Sequence, residues 1–169
     1  MNSEGTLDRE RTALRSLSLL SRKDSAARRE RILKQVTEQA QSGRRLAIYE
    51  QATGFLAPWY MRLRVTEECA RSTRYARPLS VMVLQVEGTG STLREWLLRG
   101  LRSTDLVCRT VEGDYYVLLT ETDASGTSEV MKRLLAEVPV HRVWSASFLT
   151  ETERFKSLLD PLDATLPTV

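Results

Sequence analysis

The chain has 169 residues, 41% hydrophobic and 28% charged, which is typical of a soluble globular protein with one ordinary domain and an appendage. No apolar run approaches the roughly 20 residues that cross a bilayer, and the polar start lacks the apolar core of a signal peptide. We therefore expect a cytoplasmic protein without a membrane span. The two cysteines, Cys69 and Cys108, have neither Cys-x-x-Cys spacing nor a nearby histidine, so we expect small core residues rather than a zinc site or a disulfide.

The formal net charge of +3 is unevenly distributed, because residues 1–48 hold eleven Lys and Arg against six acids. Leucines recur at helical spacing between Leu7 and Ser21, and a second amphipathic run extends to about Gln41. Both apolar stripes are too narrow for isolated helices, so we predict that they pack on the main domain or pair with a second copy. Charged helical faces are usually solvated, so we do not expect this segment to bind nucleic acid.

The rest of the chain alternates between helical and strand patterns. The run LSVMVLQV, from Leu79 to Val86, predicts a central strand covered by helices. Branched and aromatic residues on both sides of Gly113-Asp114 predict a hairpin with a two-residue turn. Apolar spacing further predicts four helices, over residues 59–74, 92–102, 128–138 and 152–159. It also predicts a final strand over residues 140–149. This order predicts an α+β fold with helices packed on one sheet.

Three short segments stand at the starts or ends of these elements. Thr53-Gly54-Phe55 precedes the first long helix, Arg77-Pro78-Leu79-Ser80 leads into the first strand, and Ser145-Ala146-Ser147 lies in the last strand. They resemble the Thr-Gly-Leu, Arg-Pro-Leu-Ser and Ser-x-Gly segments of the GGDEF family of diguanylate cyclases and their degenerate relatives. The resemblance implies a cyclase-like α+β fold with an antiparallel-rich central sheet flanked by helices. It divides the chain into an N-terminal helical extension over residues 1–48, a degenerate GGDEF-like domain over residues 49–160 and a tail over residues 161–169.

The family signature is strongly altered in this chain. Its five positions are occupied by Val111, Glu112, Gly113, Asp114 and Tyr115. In the family, two-metal catalysis uses an acid at the third position and another near the end of the first strand, where this chain has Gly113 and Gln85. The segment that builds the family's guanine pocket is shortened here to 87–91. We therefore predict no catalytic residue, no metal site, no cofactor and no cyclase activity.

An Arg-x-x-Asp pattern, Arg102 and Asp105, lies just before the predicted hairpin. A guanidinium group can bind the guanine edge or a phosphate, and a carboxylate accepts guanine N–H groups. In the family this pattern is the inhibitory product site, and a second arginine from the following helix corresponds to Arg133. The resemblance thus implies that Arg102, Asp105 and Arg133 bind cyclic di-GMP. The alternative is a local salt bridge between the first two residues, which contributes at most about 1 kcal/mol at a surface.

Two functions are compatible with these patterns. In the first, the chain is a catalytically inactive receptor for cyclic di-GMP or a signalling adaptor, and the ligand changes how the N-terminal helices self-associate or engage a protein partner. In the second, it is a nucleotide-independent interaction scaffold. The second is favoured if Arg102 and Asp105 are buried against each other, or if residues 1–48 cover the site.

Overall fold

The computed structural model describes residues 47–86 and 91–163. Within this part, four strands form one antiparallel sheet in the order β2-β3-β1-β4. The strands are β1 (Leu79–Val86), β2 (Leu106–Arg109), β3 (Tyr115–Thr120) and β4 (Val140–Ser147). The helices are α1 (Pro58–Tyr75), α2 (Ser91–Gly100), α3 (Ala124–Glu137) and α4 (Thr152–Asp163). The predicted N-terminal helices lie outside the described residues.

Strand β1 lies inside the sheet, paired with β3 on one side and β4 on the other. Val81 and Val83 face one side of the sheet, whereas Met82 and Leu84 face the other, and all four are buried. Because apolar residues are needed on both faces, the strand reads as a continuous apolar run rather than an alternating one. The predicted central strand is confirmed, with the predicted bounds.

Helices α1 and α4 cover one face of the sheet. Met61 and Val65 of α1 pack with Phe155 of α4 and with Cys108 of β2 in one apolar cluster. Burial raises the pKa of the Cys108 thiol well above its usual range, so the side chain stays neutral. Cys108 is therefore a core residue, as predicted.

Helices α2 and α3 cover the opposite face. Leu93 and Trp96 of α2 pack with Leu134 of α3 and with Tyr115 and Phe55 in a second cluster. Fully burying a large apolar side chain contributes roughly 1.5–3 kcal/mol, so each cluster stabilises its own helix pair on the sheet. In the described part of the chain, no helix has the length and apolar character that a bilayer span requires.

Two helix ends differ from the prediction. Helix α3 begins at Ala124 rather than at 128, because the Asp123 carboxylate accepts the Gly126 N–H at 2.8 Å and caps the helix. Helix α4 continues through Pro161 to Asp163, beyond the predicted end at about residue 159. Leu162 is fully buried in the core. Its packing outweighs the single main-chain hydrogen bond that proline removes from the last turn.

The hairpin turn also differs from the prediction. Arg109 pairs with Tyr115, so five residues connect β2 to β3, and the predicted two-residue turn is wrong. The Gly113 N–H donates to the Thr110 carbonyl at 3.0 Å, and Gly113 has a φ of 97°. Glycine therefore supplies the left-handed residue that ends a four-residue turn, where a side chain would be strained.

Candidate functional site

The loop between α2 and β2 is organised by the Asp105 carboxylate. One of its oxygens accepts the Arg102 main-chain N–H at 2.9 Å, and the other accepts the Thr120 N–H at 3.2 Å. The Asp105 N–H donates to the Arg102 carbonyl at 3.0 Å, which closes the turn. Asp105 thus shapes the Arg-x-x-Asp loop and fastens it to the end of β3. The contact between Asp105 and Arg102 runs through the main chain and not through the guanidinium group.

The exposed Arg102 side chain lines a groove with a volume of about 310 Å³, which is near the lower end of small-molecule pockets. The groove lies between α1, the loop from α1 to β1, the Arg102–Asp105 loop and the end of β3. Its charged lining residues are four arginines and two glutamates, namely Arg64, Arg71, Arg77, Arg102, Glu68 and Glu121. Four positive charges less two negative charges leave a formal charge of +2. The groove is therefore suited to an anionic ligand.

The wall of the groove on α1 is held by an ion cluster. The Glu68 side chain is only 6% exposed and lies between Arg64, at 3.1 Å, and Arg71, at 3.4 Å. Removing one partner from a buried ion pair is strongly destabilising, because it leaves a buried charge without compensation. Glu68 is therefore fixed between two guanidinium groups, of which Arg64 also bonds Glu67 at 2.6 Å and Arg71 is 58% exposed. Sequence reasoning missed them, although their i, i+4 and i+7 spacing with Glu68 places all three on one helical face.

The rim of the groove is formed by a second ion pair, between Arg77 and Glu121. Arg77 lies in the loop before β1, and Glu121 directly follows β3, so the pair connects two separate loops across the groove. Both side chains are more than half exposed. Glu121 has a φ of 50°, in the left-handed region that residues other than glycine rarely adopt. Neither residue was predicted to be functional.

Residues 120–123, the last residue of β3 and the connection to α3, contact several parts of the fold. Besides the Thr120 and Glu121 contacts described above, the Thr122 carbonyl accepts the Ser80 hydroxyl at 2.9 Å. Asp123 then caps α3. The segment thus touches the groove and the helix start within four residues.

Arg133 lies on α3 and is exposed. It is not among the residues that line the groove, and α3 packs on the face of the sheet opposite α1. The hydrogen bond and charge of Lys132, with a smaller effect from Arg133, lower the pKa of Glu129 on the same helix. Of the three predicted ligand residues, Arg102 lines the groove, Asp105 shapes the loop beneath it, and Arg133 lies elsewhere.

The signature hairpin is held by its own Arg109 and by Phe55 and Gln85 from outside it. Tyr115 is buried, with its ring edge-on to Phe55 at 6.1 Å and the Arg109 guanidinium 5.7 Å from its centre. The Gln85 side-chain amide donates to the Asp114 carboxylate at 3.3 Å. Val111, at the tip, is 91% exposed. The hairpin therefore turns an aromatic residue into the core and an apolar one into solvent.

These residues do not fit the pair of magnesium ions that cyclases use. Mg²⁺ requires near-octahedral oxygen ligands, usually with carboxylates among them, whereas Gln85 offers an amide that already bonds Asp114. Among residues 47–86 and 91–163, no cluster of three or more His, Cys, Asp or Glu side chains could hold a metal ion. Glu87 lies outside the described residues.

The sequence matches no family model and no curated protein. The structure is similar to the GGDEF domain of DgcB from Caulobacter crescentus, solved in complex with cyclic di-GMP. Their TM-score is 0.53 at 12% identity, covering 72% of this chain and 92% of that one. It is also similar to the diguanylate cyclase SiaD from Pseudomonas aeruginosa, solved with its activator SiaC, with a TM-score of 0.50 at 18% identity, covering 96% of this chain and 78% of that one. The described part of the chain therefore has the α+β fold of GGDEF domains, as the sequence predicted.

Proposed function

We propose that this chain is a catalytically inactive GGDEF-like domain that binds cyclic di-GMP in the arginine-lined groove and acts as a receptor or signalling adaptor. The proposal rests on one observation, that Arg102 lines a groove together with three further arginines. Cyclic di-GMP presents two phosphates and two guanine edges, and guanidinium groups bind both bidentately. The +2 charge of the groove matches the two phosphate charges. The complex of the similar DgcB domain with cyclic di-GMP supports this choice of ligand.

In this proposal Asp105 acts mainly by positioning Arg102. Each of its carboxylate oxygens accepts one main-chain N–H, so each keeps acceptor capacity for guanine N–H groups. Because its bonds connect the loop to β3, Arg102 starts from an ordered main chain. An ordered loop loses less conformational entropy when the ligand binds.

Calorimetry with cyclic di-GMP tests the receptor function. We expect micromolar binding by the full chain and roughly 10- to 100-fold weaker binding by Arg102→Ala, the loss expected when hydrogen bonds to a charged group are removed. Arg99→Ala is the matched control, because Arg99 is an exposed arginine whose partner is Glu137, outside the groove. Absence of heat with the unmodified chain at micromolar ligand would exclude the receptor function.

A second variant, Arg133→Ala, measures how far the bound ligand extends. The predicted role of Arg133 requires the ligand to reach beyond the groove towards α3. Weaker binding by Arg133→Ala supports that extended site, and unchanged affinity confines the ligand to the groove. Titration of both arginine variants under the same conditions separates the two arrangements.

The proposed inactivity rests on Gln85 and Gly113, which stand where the family needs metal-binding carboxylates. Incubation of the purified chain with GTP and Mg²⁺ tests it directly. We expect no cyclic di-GMP above a control without protein, and product above that control would contradict the proposal.

The second candidate function is a nucleotide-independent interaction scaffold. It is favoured by two exposed leucines on the side opposite the groove, Leu98 on α2 at 59% and Leu135 on α3 at 49%. The similar cyclase SiaD was solved with a protein activator. Light scattering with and without cyclic di-GMP distinguishes the functions, since a ligand-dependent doubling of mass supports a receptor whose ligand joins two domains. A mass that is the same with and without the ligand, together with no calorimetric heat, supports the scaffold.

A further inference from the structure

We propose that Glu121 occupies the anion-binding position of Arg77 when the groove is empty, so that an anionic ligand must displace the Glu121 carboxylate to bind fully. This inference rests on the proposed function, because it concerns the regulation of the same groove. Glu121 acts as an internal competitor that lowers the affinity of the site. The ion pair therefore sets how much anionic ligand is needed to fill the groove.

The two ion clusters of the groove differ in burial, and this difference identifies which one can open. Glu68 is almost fully covered between Arg64 and Arg71, so displacing it would strand a buried charge. The Arg77–Glu121 pair is exposed on both sides, at 57% and 58%. Exposed pairs contribute little because water and salt screen them. Because Arg71 is as exposed as Arg77, the difference lies in the carboxylates: Glu68 stays in place, while Glu121 can leave its partner.

The chemistry of the exchange favours a phosphate over the carboxylate. Arg77 and Glu121 both line the groove, so a phosphate seated against Arg77 would meet the Glu121 charge at close range. Guanidinium groups bind phosphate bidentately, as they do carboxylates, and a ligand phosphate is also attracted by the other three arginines. Once Arg77 is taken by the ligand, repulsion from the phosphate drives Glu121 out towards solvent. Binding then separates the two loops that the pair connects.

Calorimetry on the full chain tests this inference with two probes, cyclic di-GMP and inorganic pyrophosphate. The variants are Glu121→Gln, Arg77→Gln and the double variant. Glu121→Gln keeps the side-chain length and removes the competing charge, so we expect roughly three- to tenfold tighter binding. Arg77→Gln should weaken binding, and in the double variant the gain from Glu121→Gln should disappear.

Glu137→Gln is the matched control, since Glu137 also forms an exposed ion pair with an arginine, at 2.5 Å, but lies outside the groove. It should bind both probes as the unmodified chain does. Circular dichroism and thermal unfolding establish that each variant is folded.

Four outcomes test the internal competitor separately from the receptor function. If the unmodified chain binds and Glu121→Gln binds equally or more weakly, the internal competitor is excluded while the receptor function stands. If the gain persists in the double variant, or appears equally in Glu137→Gln, the effect is one of general charge and not of the ion pair. If only Glu121→Gln binds, the competitor is supported and the receptor function of the unmodified chain is excluded. No binding of either probe by any form excludes both.

Discussion

The groove and the signature hairpin lie at opposite ends of the same two strands, β2 and β3, and they differ in what fills them. At the groove end, Arg102 faces an open, charged space. At the hairpin end, Tyr115 is packed into the core, and Gln85 bonds Asp114. The groove is supported by the α1 layer, whereas Tyr115 belongs to the cluster under α2 and α3. Because the supports are separate, the proposed loss of catalytic groups at one end is compatible with the proposed ligand recognition at the other.

The largest expected effect comes from removing the buried aromatic ring at the hairpin end. Tyr115→Ala removes a buried aromatic ring from the α2 and α3 cluster and should lower the free energy of unfolding by about 3–5 kcal/mol. Urea unfolding followed by circular dichroism measures this change. Val111→Ala, at the exposed tip, is the control and should change stability by less than about 0.5 kcal/mol. A small effect of Tyr115→Ala would show that the ring does not hold the hairpin closed.

The next effect concerns Tyr116, which faces the α1 side. Burial, with smaller contributions from Asp114 and other neighbouring acids, raises the pKa of Tyr116 from 10.0 to about 12. The folded state therefore disfavours the phenolate, so the contribution of Tyr116 to stability is complete below pH 10 and is lost as the pH rises through 12. Tyr116→Phe should reduce the fall in unfolding free energy over this window. Part of the dependence of stability on pH should remain in Tyr116→Phe, because the pKa of Cys108 is also raised. An unchanged slope would contradict the assignment.

A smaller effect is expected where the groove meets the sheet. Asp105→Asn replaces one acceptor oxygen with an amide that cannot accept, so either the Arg102 or the Thr120 N–H loses its partner. We expect a loss of about 1–2 kcal/mol in the free energy of unfolding, together with weaker ligand binding. The exposed Asp160 on α4 provides the control, Asp160→Asn, which should change neither quantity. Full stability of Asp105→Asn would show that the loop is held by other contacts.

The smallest effect is expected for the hydrogen bond between Gln85 and Asp114. At 3.3 Å the bond is long and only partly buried, so Gln85→Ala should lower the free energy of unfolding by less than about 1 kcal/mol. Thermal unfolding of Gln85→Ala and of Tyr115→Ala under the same conditions compares the two losses of stability. A loss equal to that of Tyr115→Ala would mean that polar contacts, and not aromatic packing, close the hairpin.

The apolar pattern was enough to predict the sheet and its flanking helices, because β1 and the helices bury residues at strand or helical spacing. The hairpin turn was mispredicted, because Gly113-Asp114 suits both a two-residue turn and the end of a longer one. The role of Asp105 was not readable either, since its second partner is Thr120, fifteen residues away in the chain. The groove arginines on α1 had a readable spacing, but Arg77 and Glu121 meet only in the folded chain.

The short connection over residues 121–123 links the rim of the groove directly to the start of α3. Glu121 lies two residues before Asp123, whose carboxylate holds the Gly126 amide. If an incoming anion displaces Glu121 from Arg77, the strain of its left-handed main chain can relax. The stability of the first turn of α3 should then change. Amide hydrogen exchange at Gly126 would then follow ligand occupancy. A three-residue connection would in this way transmit ligand binding from the groove to α3.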